Sequence, residues 1–371
     1  MTNDTTRSPM SPVLSIWLDA CRILAAFAVF LGHGVGLGVA PSAMGGQWHR
    51  SADDAVTAFF IISGFVIAHT TQQRAGQGLR SYVVARASRL YSVAVPAILF
   101  AYAIDHVGMW IDPAPYVPEW QYPRPWLYIP LHLAFLGETW LGAFQPFTMA
   151  PYWSLSYEAW YYAFFGLVFF LRGWQRWVFG GAVFLLMGPR MWVLMPVWLL
   201  GVWLHGRVER WQMPAVAARL LMVLPVLGYA AFLMLGWQRE LDLASKALYG
   251  VFAQALPFPF SSGSTVHVLS DYAMALMFTA FLVGCAHSRL EIRGLGGSWI
   301  RRLAAYTFTF YLLHFTLFVF CNALGWRQVP AWHFVGITLA TFAITWAHAQ
   351  VGELRRASYA RVIDRWLPWK G

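Results

Sequence analysis

The chain has 371 residues, of which 59% are hydrophobic and only 11% charged, and it carries 21 tryptophans. So little charge cannot cover the surface of a soluble domain of this length, which excludes a soluble enzyme or binding module and indicates a polytopic membrane protein. The formal charge of +10 does not indicate nucleic acid, because the basic residues are scattered in short clusters between apolar runs.

Apolar runs long enough to cross the hydrocarbon, or to pair as short tilted helices, occur at about 16–39, 55–72, 90–111, 152–171, 177–189, 191–206, 215–237, 271–287, 303–324 and 332–350. The expectation is an all-α polytopic membrane protein: a bundle of about ten transmembrane helices in a single domain over 1–371. Short cytoplasmic tails are expected at 1–15 and 351–371, with no soluble appended domain. After the first run, Gly-Val-Ala-Pro-Ser-Ala imitates a signal-peptide cleavage site. Pro41 sits badly for cleavage, and cutting there would remove Arg22 and His33, so the first span is read as uncleaved.

Placing the N-terminus inside assigns 19 basic residues, including Arg7, Arg293 and Lys370, to the cytoplasm and leaves 6 outside, with Arg22 within the membrane. The positive-inside bias therefore predicts that both termini are cytoplasmic. The segment 126–147 is apolar but broken by Pro130, His132, Glu138 and Pro146, and reads as an external or re-entrant element. The Pro-rich stretch 112–125 and the polar stretch 238–270 read as the longest external loops. Cys21, Cys285 and Cys321 lie in apolar runs without partner-like spacing, so neither a disulfide nor a metal framework is expected.

The first run carries Asp19, Arg22 and His33, three ionisable groups that a bilayer tolerates only at a cost. On a helix, Arg22 and His33 fall within roughly 20° of each other and about 16 Å apart along the axis, with Asp19 on much the same side. In Ser63-Gly64 of the second run, close helix packing is the simpler role. Arg80, Arg86 and Arg89 then follow at helical spacing; they suit a solvated positive-inside cluster or a phosphate clamp. The fourth run opens Trp153-Ser-Leu-Ser-Tyr-Glu158, and topology brings Glu158 to a depth comparable with His33, where a carboxylate could orient an imidazole base. The ninth run places Tyr311 and His314 near mid-membrane, where His314 suits either a structural hydrogen bond or catalysis.

Five stretches together resemble the acyltransferase 3 family, the bacterial integral-membrane acyltransferases of surface glycans and some small natural products. They are Leu18-Asp19 with Arg22 and His33 at the Arg-x10-His spacing, Phe59-Phe60-Ile-Ile-Ser-Gly-Phe65, Arg86 with Arg89, Trp153-Ser-Leu-Ser-Tyr-Glu158, and Tyr311-Leu-Leu-His314. They occur in the family's order over nearly the whole chain. The chain departs from the family pattern at Ala20-Cys21, where a glycine is usual, at Pro96, which comes later than expected after Arg89, and at Thr307-Phe308, which replaces a Ser-Tyr pair.

The resemblance implies an O-acyltransferase of the bacterial cytoplasmic (inner) membrane. It would move an acyl group, most often acetyl, from cytoplasmic acyl-CoA to a hydroxyl of a cell-surface or exported glycan or its lipid-linked precursor. Acetyl-CoA would be a substrate rather than a tightly bound cofactor, and no metal is expected. The resemblance implies His33, Glu158 and His314 as catalytic, with His33 as general base on the acceptor hydroxyl or as a transient acyl carrier and Glu158 orienting or charge-stabilising it, and Arg22, Arg86 and Arg89 as holding CoA. Asp19, Ser63, Phe65, Trp153 and Tyr311 would line the substrate pocket. Expected partners are membrane lipid, acyl-CoA and the sugar acceptor. The competing readings are acylation of a small natural product such as a macrolide, and a proton-coupled transporter or flippase. Transporters of this size commonly show internal repeats, and none is evident between the halves.

Overall fold

Proline and glycine punctuate the chain where helices start and stop. Pro12, Pro125 and Pro189 each open a helix, a position where the missing N–H costs nothing. Gly188, at φ 83°, breaks the apolar sequence around Gly188-Pro189 into two helices. The computed structural model describes residues 10–45, 47–117, 124–140, 142–255, 263–292 and 294–367. Arg7, Arg293 and Lys370, and the parts of the expected loops and tails at 1–9, 118–123, 256–262 and 368–371, lie outside the described residues.

The described residues form fourteen α-helices and no strand: α1 (Pro12–Gly36), α2 (Gln47–Gln73), α3 (Gly78–Ile111), α4 (Pro125–Leu133), α5 (Tyr152–Phe170), α6 (Gly173–Met187), α7 (Pro189–Val208), α8 (Ala215–Met234), α9 (Trp237–Ala255), α10 (Val268–His287), α11 (Gly294–Ala304), α12 (Thr307–Ala323), α13 (Ala331–Ala349) and α14 (Arg356–Trp366). Seven are long and apolar enough to cross a membrane: α1, α2, α3, α7, α8, α10, and α13 with its continuation into α14. Counted together, α11 and α12, bent by 54° at the break between them, make an eighth. The other two apolar runs form α5, whose opening turns hold Ser154, Ser156 and Glu158, and α6, which has only 15 residues. The lipid-facing surface is visible on α8, where Val216, Leu220, Val223, Leu224 and Leu227 are all exposed, a patch no water-soluble face would carry.

The chain's hydrogen bonds gather several helix ends at one pole. Trp17 Nε1 donates to the carbonyl of Leu290, His287 Nε2 to that of Val208, and Arg80 pairs with Asp364. We call this the arginine end. At the opposite pole, the histidine end, α4 is far too short to cross and dips beside α3. Tyr91 Oη donates to the carbonyl of Leu133, whereas Thr148 is held by Asp105, fourteen residues or about 21 Å further along α3. The segment around 126–147 thus enters the bundle and returns.

The polar stretch 238–270, expected as a loop, is largely helical. In α9, Leu241, Ala244, Ser245 and Leu248 repeat at helical spacing, and polar contacts dock the helix: Arg50 to Asp242 at 3.1 Å and Gln238 to Asp54 at 2.7 Å. The expected tail at 351–371 is likewise structured where described. There α14 packs on α3 through Arg356, whose guanidinium reaches the carbonyl of Ala85 at 2.7 Å.

Helices α2 and α7 cross in backbone contact. A Cβ on Gly64 would stand 2.0 Å from the Trp198 carbonyl oxygen, and one on Gly201 would stand 2.0 Å from that of Ile61. Each backbone therefore occupies the space that a side chain on the other would need. This contact fixes the wall of the bundle that carries Ser63.

Candidate active site

Three levels of polar side chains are stacked along the bundle interior between α1, α2, α3, α5 and α12. At the arginine-end level, Arg22 pairs with Asp19 at 3.0 Å, and Arg89 lies over the ring of Phe308, 5.4 Å from its centroid. Glu158, almost fully buried, accepts from Ser63 Oγ at 2.6 Å and from Tyr162 Oη. Arg22 and Arg89 are both within electrostatic reach of Glu158. One turn towards the histidine end, Ser154 Oγ and Tyr311 Oη lie 2.8 Å apart.

The third level is a histidine pair. His33 Nδ1 is 2.8 Å from His314 Nε2, and His314 Nδ1 is 3.1 Å from the Phe310 carbonyl. A carbonyl only accepts, so the proton of neutral His314 sits on Nδ1 and its Nε2 accepts from His33 Nδ1–H. The lone pair of His33 is thereby placed on Nε2, the tautomer of a general base. His314 is completely buried, and the two ring planes lie within 14° of parallel with centroids 5.1 Å apart, as an in-plane bond between ring edges requires.

A cavity of about 60 Å³ connects the first two levels and is lined by Arg22, Ser63, Arg89, Glu158, Thr307 and Tyr311 among others. That volume suits a few waters and no more. A smaller cavity lies beside it, around Thr70, Thr71, Arg74, Ser81 and Arg86. Arg86 reaches Thr70 Oγ1 at 3.2 Å there, and the Thr71 hydroxyl is buried without a hydrogen-bond partner.

The expected site residues divide accordingly. Arg22, Ser63, Arg89, Glu158 and Tyr311 share one cavity, and His33 and His314 form a pair beyond it. The expected orientation of His33 by Glu158 is corrected: His314 holds His33, while Glu158 belongs with Ser63 and Tyr162. The cause is depth. Glu158 lies six residues inside α5, and α5 itself starts low because the chain before it returns from inside the bundle, whereas His33 is three residues from the end of α1. Arg86 and Arg89 do not share one cavity. Asp19 serves as the ion-pair partner of Arg22. Phe65 packs on His205, and Trp153 packs on Phe60 and Tyr157 and lines a separate small cavity with Asp53 and Asp271. Neither Phe65 nor Trp153 lines the cavity that holds Ser63.

Sequence reading missed Tyr162, although it stands one helical turn after Glu158 on the same face. It also missed Ser154 and Glu353. Glu353 accepts from the backbone N–H of Thr309 at 3.1 Å and from its hydroxyl at 2.9 Å, and lies within electrostatic reach of Arg89. Among the described residues, no group of three or more His, Cys, Asp or Glu side chains could hold a metal.

No curated protein and no solved structure matches the chain. The family described as an acyltransferase domain, Acyl_transf_3, matches residues 15–350, which contain every residue of the three levels. By that match the chain belongs to the acyltransferase 3 family and is a multi-pass membrane acyltransferase.

Proposed function

We propose that the protein is an O-acyltransferase of the bacterial inner membrane. It moves an acetyl group, or another acyl group, from cytoplasmic acyl-CoA to a hydroxyl of an exported glycan or its lipid-linked precursor. The observation that carries this reading is the pair of neighbouring cavities: one holds Arg22 and Arg89 beside the buried Ser63–Glu158 pair, and the other holds Arg74 and Arg86 among the hydroxyls of Thr70, Thr71, Ser81 and Tyr82. Guanidinium and hydroxyl donors are the chemistry that holds phosphates, and CoA carries phosphates at one end of a long arm and the thioester at the other. With phosphates at Arg74 and Arg86, the arm would run along Arg22 and Arg89 and bring its acyl group inward.

The arginine end is cytoplasmic in this reading, with ten passes and both termini inside, in keeping with the 19-to-6 distribution of basic residues. His33 then faces the outer half of the bundle and takes the acceptor's proton on Nε2, while His314 fixes its tautomer and shares the resulting charge.

The experiment is incubation of purified full-length protein with radiolabelled acetyl-CoA and glycan fractions from the host envelope. Label in the glycan, dependent on His33, supports the reading. Binding of acetyl-CoA without label transfer to any glycan fraction would remove the proposed acceptor class, and no interaction with acetyl-CoA at all would remove the donor.

A further inference from the structure

The chain holds two separate proton-accepting stations where a single displacement needs one. Glu158 and His33 belong to different levels. Ser154 precedes Glu158 by one turn, Tyr311 precedes His314 by one turn, and Ser154 bonds Tyr311, so the stations are offset by about 10 Å along the bundle. The station nearer the arginines has its own nucleophile. Ser63 Oγ donates to Glu158 Oε1 at 2.6 Å and receives the indole N–H of Trp198 at 3.3 Å. A hydroxyl whose proton points at a carboxylate, beside a cavity lined by two guanidinium groups, has the arrangement of an activated serine.

Packing fixes that arrangement. The Gly64–Trp198 backbone contact immediately follows Ser63, so neither the serine nor the indole that donates to it can drift without separating α2 from α7. The two halves of the Ser63-Gly64 dipeptide therefore have different tasks: Gly64 makes the helix contact and Ser63 faces the cavity.

We propose that Ser63 is a covalent acyl carrier, an inference that rests on acyl-CoA being the donor. In the first half-reaction Ser63 Oγ attacks the thioester carbonyl carbon and its proton passes to Glu158. The charge on the carbonyl oxygen is stabilised by Arg22 and Arg89, the C–S bond breaks, and CoA leaves as the thiolate, which solvent protonates. In the second half-reaction the oxygen of an acceptor hydroxyl bonds to the acyl carbon, and its proton passes along the Ser154 and Tyr311 hydroxyls, which span the offset between the stations, to His33 Nε2, which releases it to solvent. The bond to Ser63 Oγ then breaks, and Ser63 recovers its proton from Glu158. No oxidant, reductant or further reactant is required.

The test is a rapid-quench experiment on the full-length protein with radiolabelled acetyl-CoA and no acceptor, followed by peptide mapping. The expected result is a burst of about one equivalent of free CoA thiol per protein, with acetyl on the peptide containing Ser63. Ser63→Ala should lose both while still binding acetyl-CoA, and Glu158→Gln should slow the burst about 100-fold. Should Ser63→Ala fail to fold, Ser63→Cys keeps the test open, because its adduct is a thioester cleaved by neutral hydroxylamine.

Label on His33, a burst that persists in Ser63→Ala, or steady glycan acylation by the wild type with neither burst nor adduct would each overturn the serine carrier while leaving the donor reading intact. A wild-type protein that neither binds acetyl-CoA nor releases thiol would overturn both.

Discussion

His33 and His314, 281 residues apart in sequence, are joined by a 2.8 Å hydrogen bond whose direction is set by the Phe310 carbonyl behind His314. Their order, carbonyl to imidazole to imidazole, places a proton-accepting nitrogen on α1. The second imidazole does what an aspartate does in many hydrolases: it fixes the tautomer and shares the charge that develops.

His33→Ala should lower acyl transfer by 100-fold or more, as loss of a general base does, with the protein still folded in detergent. His314→Gln, which retains a hydrogen-bonding group opposite His33, should lose less than His314→Ala. Steady-state transfer rates for the three variants check this ordering. Retention of more than a tenth of wild-type turnover by His33→Ala would take the pair out of the mechanism.

Replacing the arginines should separate binding from chemistry. Arg86→Ala lies in the smaller polar cavity and should weaken CoA binding by about 1–3 kcal/mol, the worth of a charge-assisted contact, with little effect on turnover at saturation. Arg89→Ala, beside Glu158, should lower turnover as well. Calorimetry with CoA at moderate salt, paired with saturation kinetics, distinguishes the two. Equal behaviour of the two variants would contradict their placement in different cavities.

Gly64→Ala should destabilise the bundle by more than the 1–3 kcal/mol typical of overpacking, because its Cβ would meet a backbone carbonyl that no side-chain rotation can move. Ser63→Ala next to it, which takes a partner from the buried Glu158 and Trp198 N–H, should cost less, about 1–3 kcal/mol. Melting temperatures in a single detergent compare the two.

Acid should loosen α9. Burial raises the Asp242 carboxyl, but hydrogen bonds from Ser270 and Arg50 together with the Arg50 charge outweigh it and hold the group below the usual aspartate value. A depressed value in the folded state means that the stabilisation is present above the unfolded pKa of about 4 and is lost as pH falls through the folded value. The protection of α9 amides from hydrogen exchange, relative to the intrinsic rate at each pH, should therefore fall on acidification below pH ~4, and Asp242→Asn should show the lowered protection already at neutral pH.

Orientation is open to cysteine labelling with a membrane-impermeant reagent. The three native cysteines are buried, so background should be low. Glu240→Cys on α9 should label in intact spheroplasts, and Ala357→Cys on α14 only after permeabilisation; both positions are exposed. The reverse pattern would place the arginine cavities outside and end the case for a cytoplasmic donor.

The membrane class, most helices and the arginine and histidine positions were legible because each rests on composition, on an apolar run or on a spacing along one helix. Arg22 and His33 share α1, and their separation follows from helix geometry alone. The partner of His33 was not legible, because depth across different helices depends on where each helix starts. For α5 that start is set by a returning segment whose path is fixed by remote contacts such as Tyr91 to Leu133. Helix α9 was hidden by its polar residues, two of which, Gln238 and Asp242, are polar because they meet Asp54 and Arg50 rather than water. Helix α14 was hidden by a basic surface that reads equally well as a tail.

The interlocked glycines of α2 and α7 also bear on which side of the cavity can yield. A space that admits a few waters must widen before a thioester arm can lie in it, and the α2–α7 wall cannot move without parting two touching backbones. The opposite wall, formed by Thr307, Phe308 and Tyr311, begins at the 54° elbow between α11 and α12, where no continuous helix resists bending. The carboxylate of Glu353, in the turn between α13 and α14, accepts from the N–H and hydroxyl of Thr309 and so ties that wall to the C-terminal helices. A rocking of α12 about the elbow would part the Ser154–Tyr311 bond and leave the α2–α7 contact in place.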